Sequence, residues 1–362
     1  MKNRFHILTA LAVALVMVAW ATPSSAQWVI ESKDQKSNIK IGFLSQGQFE
    51  NITTPDGTAT STNLFLRRFR ILLGGKVSDK WTYFLETDDP NLGKGTGTAG
   101  TKDTGTMYIQ DAFVTYNHSD TFKIDAGMLL LAQSHNHEQS AATLLPVDYG
   151  AYTFLESTPM AERVGRDYGI EIRGYPASQH LEYRVGVFQG IRGIDSRNSV
   201  RIVGRGVWYP FAAESGYFYG GTFQGQKRVV GVGASFDKQR DYGMYGLDFF
   251  VEQPINKGEQ GVTFQVDWNR FNGGTFVVLP LQYQFLVEGG FHFNKGKESI
   301  FGQYAKHTYD NPVTPQQYAF QVGVAYWMAG HNRSLKFSVG RQHTDNAPDR
   351  TQILAQLQIF AY

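Results

Sequence analysis

Charged residues recur at strand spacing along much of this 362-residue chain. Arg68 and Arg70, Glu86 and Asp88, Lys123 and Asp125, Glu171 and Arg173, and Glu182 and Arg184 stand two positions apart, each pair flanking an apolar, aromatic or small residue; Arg201 and Arg205 stand four apart. Asp111, Asp248, Glu252 and Asp267 continue the pattern in other segments. A spacing of two puts both side chains on one face of a strand. Arg or Lys held in hydrocarbon near the midplane of a bilayer costs ~2–4 kcal/mol, so this face is expected to meet water. The chemistry open to it is ion pairing, hydration and electrostatic selection. Arg68, Arg70, Arg173, Arg184, Arg201 and Arg205 could form a track for anions, because rings of Arg or Lys favour anion passage. Carboxylates such as Glu86, Asp111 and Glu171 could instead pair with them and hydrate the surface.

Other chemistry finds less support. His135, His137 and Glu138 are ligand types, but nothing nearby completes a four-ligand metal site by spacing, and a solvated polar loop is the expectation. Candidate Ser and His residues are present without a motif that joins nucleophile, base and orienting group. The chain has no cysteine, which excludes disulfides and cysteine-bound zinc. The Gly/Thr-rich stretch from Pro90 to Thr106 would need a helix after it to cradle phosphate; a strand resumes at Met107. Neither an enzyme nor a cofactor is expected.

The elements that position the charges are strands. Asn63 to Asp89 divides by parity into two, with a turn at Val77 to Lys80. Leu64, Leu66, Arg68, Arg70 and Leu72 take one face; Phe65, Arg67, Phe69, Ile71 and Leu73 take the other. Arg67, on the apolar face, needs an interfacial height or a β-bulge. Ile39 to Phe49 alternates in the same way, with Lys40, Gln46 and Gln48 towards water. Residues 27–38 read as a polar lead-in. The plan repeats to Tyr362, short turns alternating with longer loops, and yields about sixteen antiparallel strands, enough for an all-β transmembrane barrel around an aqueous lumen. The connection from Pro210 to Gln226 shows no pattern.

Residues 1–26 carry Lys2 and Arg4, an apolar run from Ile7 to Ala21, and Ser24-Ser25-Ala26. They read as an export signal cleaved before Gln27, the run being short of the ~20 residues of a spanning helix. Removing it leaves 32 positive charges against 32 negative, a balance unlike that of a nucleic-acid binder. Mean hydropathy is −0.31, which excludes a helical membrane protein but not a barrel, where every second residue faces water. No linker divides residues 27–362, so one barrel domain is expected.

Leu129 to Arg163 breaks the rhythm for about 35 residues, longer than ordinary loops. Its three consecutive leucines, Leu144, Leu145, Tyr149, Tyr152 and Phe154 are too apolar for solvent. A loop folded into the barrel, carrying His135, His137, Glu138 and Asp148 into a constriction, would bury them.

At this point the sequence resembles the phosphate-selective porins O and P of Gram-negative outer membranes. The motifs are LRRFRILLGGKVSDKWTYFLETDD, YIQDAFVTYN, FKIDAGM, RDYGIEIRGY and LEYRVGVFQG, and the resemblance runs from about Ile39 to the C-terminus. It implies a sixteen-stranded barrel in the outer membrane, usually a homotrimer, whose third extracellular loop narrows the pore, here Leu129 to Arg163. It also implies phosphate selectivity resting on lysines and arginines at the constriction, yet Leu129 to Ala161 contains neither. The expected function is therefore passive diffusion of small hydrophilic solutes or inorganic anions. The alternatives are a channel specific for phosphate or another oxyanion, and a barrel enzyme. The last strand also departs from the family pattern, Phe360 and Tyr362 sharing parity with Gln356 and Gln358.

Overall fold

The computed structural model describes residues 28–97, 100–154, 156–194, 197–211 and 213–362. The expected export signal and its cleavage site lie outside the described residues. The strands are β1 (Trp28–Glu31), β2 (Asn38–Thr53), β3 (Thr60–Lys76), β4 (Trp81–Asp88), β5 (Tyr108–Ser119), β6 (Phe122–Leu130), β7 (Arg166–Gly174), β8 (Leu181–Phe188), β9 (Arg201–Trp208), β10 (Val229–Gln239), β11 (Tyr242–Ile255), β12 (Gln260–Asn272), β13 (Gln282–Phe293), β14 (Glu298–Tyr309), β15 (Gln317–His331), β16 (Arg333–Thr344) and β17 (Arg350–Ala361). From β2 onward each pairs antiparallel with the next, and β17 returns to β2 between Ala361↔Phe43 and Gln352↔Ile52. Sixteen strands thus close a barrel. The lead-in is not wholly irregular: β1 pairs with residues 38–41 of β2, on the edge that β17 leaves free beyond Ala361. The unpaired backbone groups at that edge explain the extra strand.

Period-two patterning becomes an outer and an inner wall. On β8, Leu181, Val185 and Val187 are exposed, whereas Glu182 and Arg184 are buried in the lumen. β3 follows the rule with one interruption. Its register with β2 shifts between Gln46↔Arg68 and Gly47↔Leu66, so Arg67 is the extra residue of a bulge. The bulge reverses parity, which corrects the sequence reading: Phe65 faces inward and Leu64 outward above it, while Arg68, Arg70 and Leu72 face inward below it. A second shift, between Glu86↔Asp111 and Thr87↔Ile109, turns both Gln110 and Asp111 inward. Bulges re-aim side chains in this way.

The lumen is filled from both ends. From the end with longer loops, residues 131–150 run inward against the wall. Their backbone carbonyls meet amide donors: Gln46 Nε2 to Ala141 O at 3.1 Å, Gln358 Nε2 to Ala142 O at 2.8 Å and Gln356 Nε2 to Val147 O at 3.2 Å. Lys336 Nζ reaches Pro146 O at 2.9 Å and also Leu144 O. The loop's apolar side chains meet apolar patches of the inner wall, Leu145 and Val147 packing on Phe301, Ala325, Trp327 and Leu354. At Gly290 a Cβ would stand 2.7 Å from Leu145, so the wall needs glycine there.

From the other end, residues 209–211 and 213–228 form a second insertion, in the connection that carries no sequence pattern. Glu252 of β11 anchors it by accepting the N–H of Phe223 at 2.8 Å and of Gly225. Its residue Tyr219 then pairs with the loop, donating N–H to Glu138 O and accepting from Ser140 N, both at 2.9 Å.

The wall assignment predicts opposite responses at neighbouring positions of β15. Val322 is exposed on the outer wall and Gln321 lines the inner one. Val322→Arg should cost about 2–4 kcal/mol if it lies near the membrane midplane, read as a lower urea midpoint in lipid vesicles. Gln321→Arg should leave the midpoint nearly unchanged.

Candidate functional site

Two cavities open into the lumen from opposite ends, both bordered by β2 and β3. The loop-end cavity is bounded by Phe65, Arg67, Lys94, Asp148, Tyr149 and Gln321 among others. The opposite one is bounded by Lys40, Leu72, Lys76, Phe84, Glu86, Arg173 and Tyr362 among others.

A septum of polar side chains from β2, β3 and the loop separates them. The β3 bulge brings two successive arginines onto one carboxylate: Arg67 Nε lies 2.7 Å from Asp148 Oδ2, and Arg68 Nη2 lies 2.6 Å from Oδ1. Burial alone would raise the Asp148 pKa, but Arg67 and Arg68 outweigh it and hold the carboxyl well below the usual range. Arg68 also donates to Gln46 Oε1 at 2.9 Å and sits 5.4 Å from the centre of the Tyr149 ring. The Tyr149 hydroxyl donates to Gln139 O at 2.6 Å, tying the septum to the loop. Two residues along β3, Arg70 pairs with Asp88 at 2.9 Å and with Glu86.

The remaining arginines also carry carboxylates. Arg173 pairs with Asp125 at 2.6 Å, and Arg184 with both Glu182 and Glu138 at 2.7 Å. Arg201 holds Glu162 at 2.9 Å together with Asp237. Arg205 holds Glu138 at 3.0 Å together with Asp248. Asp111 is taken by Arg166, with two bonds of 3.1 Å. Glu171 faces inward and is buried. Lys123 sits at the turn end of β6, 3.3 Å from the exposed Asp120. Thus all six arginines of the track face inward, and each has an acidic partner.

The loop residues correct the expectation of a solvated segment: His135, His137 and Glu138 are all buried, in a single helical turn capped by Ser134. They also diverge. His135 contacts Glu214 Oε2 at 2.7 Å and Gln265 Oε1 at 3.0 Å and stacks on Phe250. His137 reaches Gly165 O at 3.5 Å. Glu138 bridges Arg184 and Arg205. No metal-binding group of three or more His, Cys, Asp or Glu occurs among the described residues.

Sequence reasoning missed Tyr149 as a septum residue, Lys76 as a cavity cation, and the whole second insertion. The Arg67-Arg68 pair on a strand with alternating parity was the one signal for the septum, since it called for either an interfacial height or a bulge, and the bulge is what the structure has.

Two outcomes test this geometry. Glu138→Ala leaves two buried guanidinium groups without their shared partner and should cost about 3–5 kcal/mol in urea unfolding, whereas Lys123→Ala, removing an exposed pair, should cost less than about 1 kcal/mol. The second uses pH. Burial would lower the His135 pKa, but Glu214 reverses this and raises it to about 9. The stabilisation is therefore complete below the ordinary histidine value and lost as pH rises through about 9. Chymotrypsin should cleave the loop faster at pH 10 than at pH 7, and His135→Gln should flatten that difference.

Residues 39–326 match the family model for phosphate-selective porin O and P. No curated protein sequence matches the chain. Among solved structures, the anion-selective porin of Comamonas acidovorans aligns over 90% of this chain and 100% of its own, with TM-score 0.62 and 9% identity. OmpF of Salmonella typhi, in complex with daunomycin, covers 91% and 100% with TM-score 0.60 and 12% identity. OprB of Pseudomonas putida covers 90% and 94% with TM-score 0.60 and 8% identity. At such identities the structures establish the fold alone. With the family match spanning most of the chain over a closed sixteen-stranded barrel, this protein belongs to the phosphate-selective porin O and P family of outer-membrane channels.

Proposed function

We propose that the protein gives passive diffusion to small hydrophilic solutes, with a preference for anions, along the β2–β3 wall between the two cavities. The observation that carries this is the charge facing the cavities. Lys40 and Lys76, which have no carboxylate partner among the described residues, border the turn-end cavity, whose other charges, Arg173 and Glu86, are paired with Asp125 and Arg70. At the septum two guanidinium groups share Asp148. Net positive charge along a narrow aqueous path lowers the barrier to anions. The inward loop sets the bore at Arg68, Asp148 and Tyr149, and a sixteen-stranded barrel would otherwise be wide.

Arg70, Arg184, Arg201 and Arg205 serve chiefly to hold the two insertions and the wall together, because a guanidinium committed to carboxylates has little field left for a passing ion. This argues against a strong phosphate site. The reading includes export with cleavage after Ala26, outer-membrane lipid around the barrel, longer loops outside the cell, and a homotrimer, as family membership suggests; a related fold, OmpT of Vibrio cholerae, is described in a trimer form.

Planar-bilayer recordings test it. In a chloride salt gradient, Arg68→Ser with Lys76→Ser should lower the anion/cation permeability ratio and Asp148→Asn should raise it. Unchanged reversal potentials in all variants would sink the selectivity reading. Tyr149→Ala should raise single-channel conductance by opening the septum, and millimolar phosphate should leave chloride current unblocked.

A further inference from the structure

The outer wall carries one feature that conduction does not use. Four cations face outward near the loop-end termini of alternate strands: Lys238 on β10, Arg270 on β12, Lys306 on β14 and Arg341 on β16. Arg341 is paired with Asp349. The side chains of Lys238, Arg270 and Lys306 have no hydrogen-bond or ion-pair partner among the described residues.

Their positions along the strands are regular. Lys238 lies opposite Gly243, and Gly243 opposite Asn272, two residues beyond Arg270. Arg270 lies opposite Tyr283, and Tyr283 opposite Thr308, two residues beyond Lys306. Lys306 lies opposite Tyr318, and Tyr318 opposite His343, two residues beyond Arg341. Barrel strands tilt, so a row of hydrogen-bonded residues climbs relative to the membrane plane. A step back of two residues at every second strand offsets that climb and keeps the four cations near one level. Neighbours in the row are ~12 Å apart, two strand spacings across the sheet and two residues along it.

That level is a membrane interface. Tyr245 and Tyr283 flank Arg270, and Tyr318 flanks Lys306; outward tyrosines mark the headgroup region of a barrel. The row is confined to one arc. Among the described strand residues of β2 to β9, no outward-facing lysine or arginine occurs, Arg166 being turned inward onto Asp111. Among the described strand residues at the opposite rim of the same arc, the outward charges are Glu298 and Arg333, of opposite sign.

We infer that Lys238, Arg270 and Lys306 form a binding site for phosphate-bearing lipid headgroups of the leaflet at the loop end, on the β10–β16 arc of the outer wall. Charge complementarity selects the occupant: three unpaired cations beside hydrocarbon, on long stems that keep their heads at the interface, need fixed anions at that depth. The inference rests on the outer-membrane reading.

The test uses the intact barrel in mixed micelles with phosphatidic acid and phosphatidylcholine, bound lipids being counted by native mass spectrometry. The wild type should retain phosphatidic acid in preference, and Lys238→Ser/Arg270→Ser/Lys306→Ser should lower that retention about a hundredfold. Heat-modifiable electrophoretic mobility and single-channel conductance should match the wild type, which separates failure of the lipid site from failure of the barrel reading. A control with Lys40→Ser, inside the lumen, should bind lipid as the wild type does. Equal retention by the triple variant would overturn the site. Displacement of the lipid by millimolar inorganic phosphate would overturn it in favour of a free-anion site, and loss of oligomer without loss of lipid would overturn it in favour of a contact between copies.

Discussion

The constraint on which the rest of the structure depends is that no backbone N–H or C=O can be left unpaired beside hydrocarbon. The pairing of β17 with β2 meets it by joining the last strand to the first full one, so the sheet has no free edge along its span. Closure imposes period-two patterning on every strand, apolar or aromatic outside and polar inside. It also creates a second problem, because a ring of sixteen strands encloses more space than wall side chains alone can fill.

That space is filled by two insertions whose own backbone must be satisfied. The glutamines of β2 and β17 and Lys336 of β16 donate to carbonyls of residues 141–147, while Glu252 of β11 receives N–H groups of the opposite insertion. The inner wall is therefore not uniformly polar: Leu44, Leu72, Phe113, Phe301 and Trp327 face inward where the loop's leucines, alanines and valine lie. Each insertion leaves its ends at the rim and meets the other at Glu138 to Ser140 and Tyr219.

Most of the lumen's charge is spent on holding this arrangement. Glu138 with Arg184 and Arg205, and Arg201 with Glu162, are pairs between wall and loop rather than a row of free cations. The space left open runs beside β3, where the bulge turns Arg67 as well as Arg68 towards Asp148. Selection of solutes thus depends on a few side chains at one septum, and the outer wall's charged arc is a separate matter of how the barrel meets its lipid.

What the sequence by itself determined is local. Alternation in Asn63 to Asp89, the turn at Val77 to Lys80, and the inward charges at Glu86, Arg173 and Arg205 follow from a period of two and from the cost of charge in lipid. The excess of leucine and tyrosine in Leu129 to Arg163 showed that this segment needed a surface. Tertiary structure decided the rest because the relevant partners are remote in the chain: Arg68 finds Asp148, His135 finds Glu214, and Lys336 finds Pro146 only once the barrel is closed. The parity of Phe65 was misread because a single extra residue at Arg67 exchanges the two faces of a strand, and no pattern inside the strand distinguishes a bulge from a misplaced charge. The second insertion was illegible for a related reason. Its conformation is set by Glu252 and by the loop it meets, and a segment held by remote side chains carries no periodicity of its own.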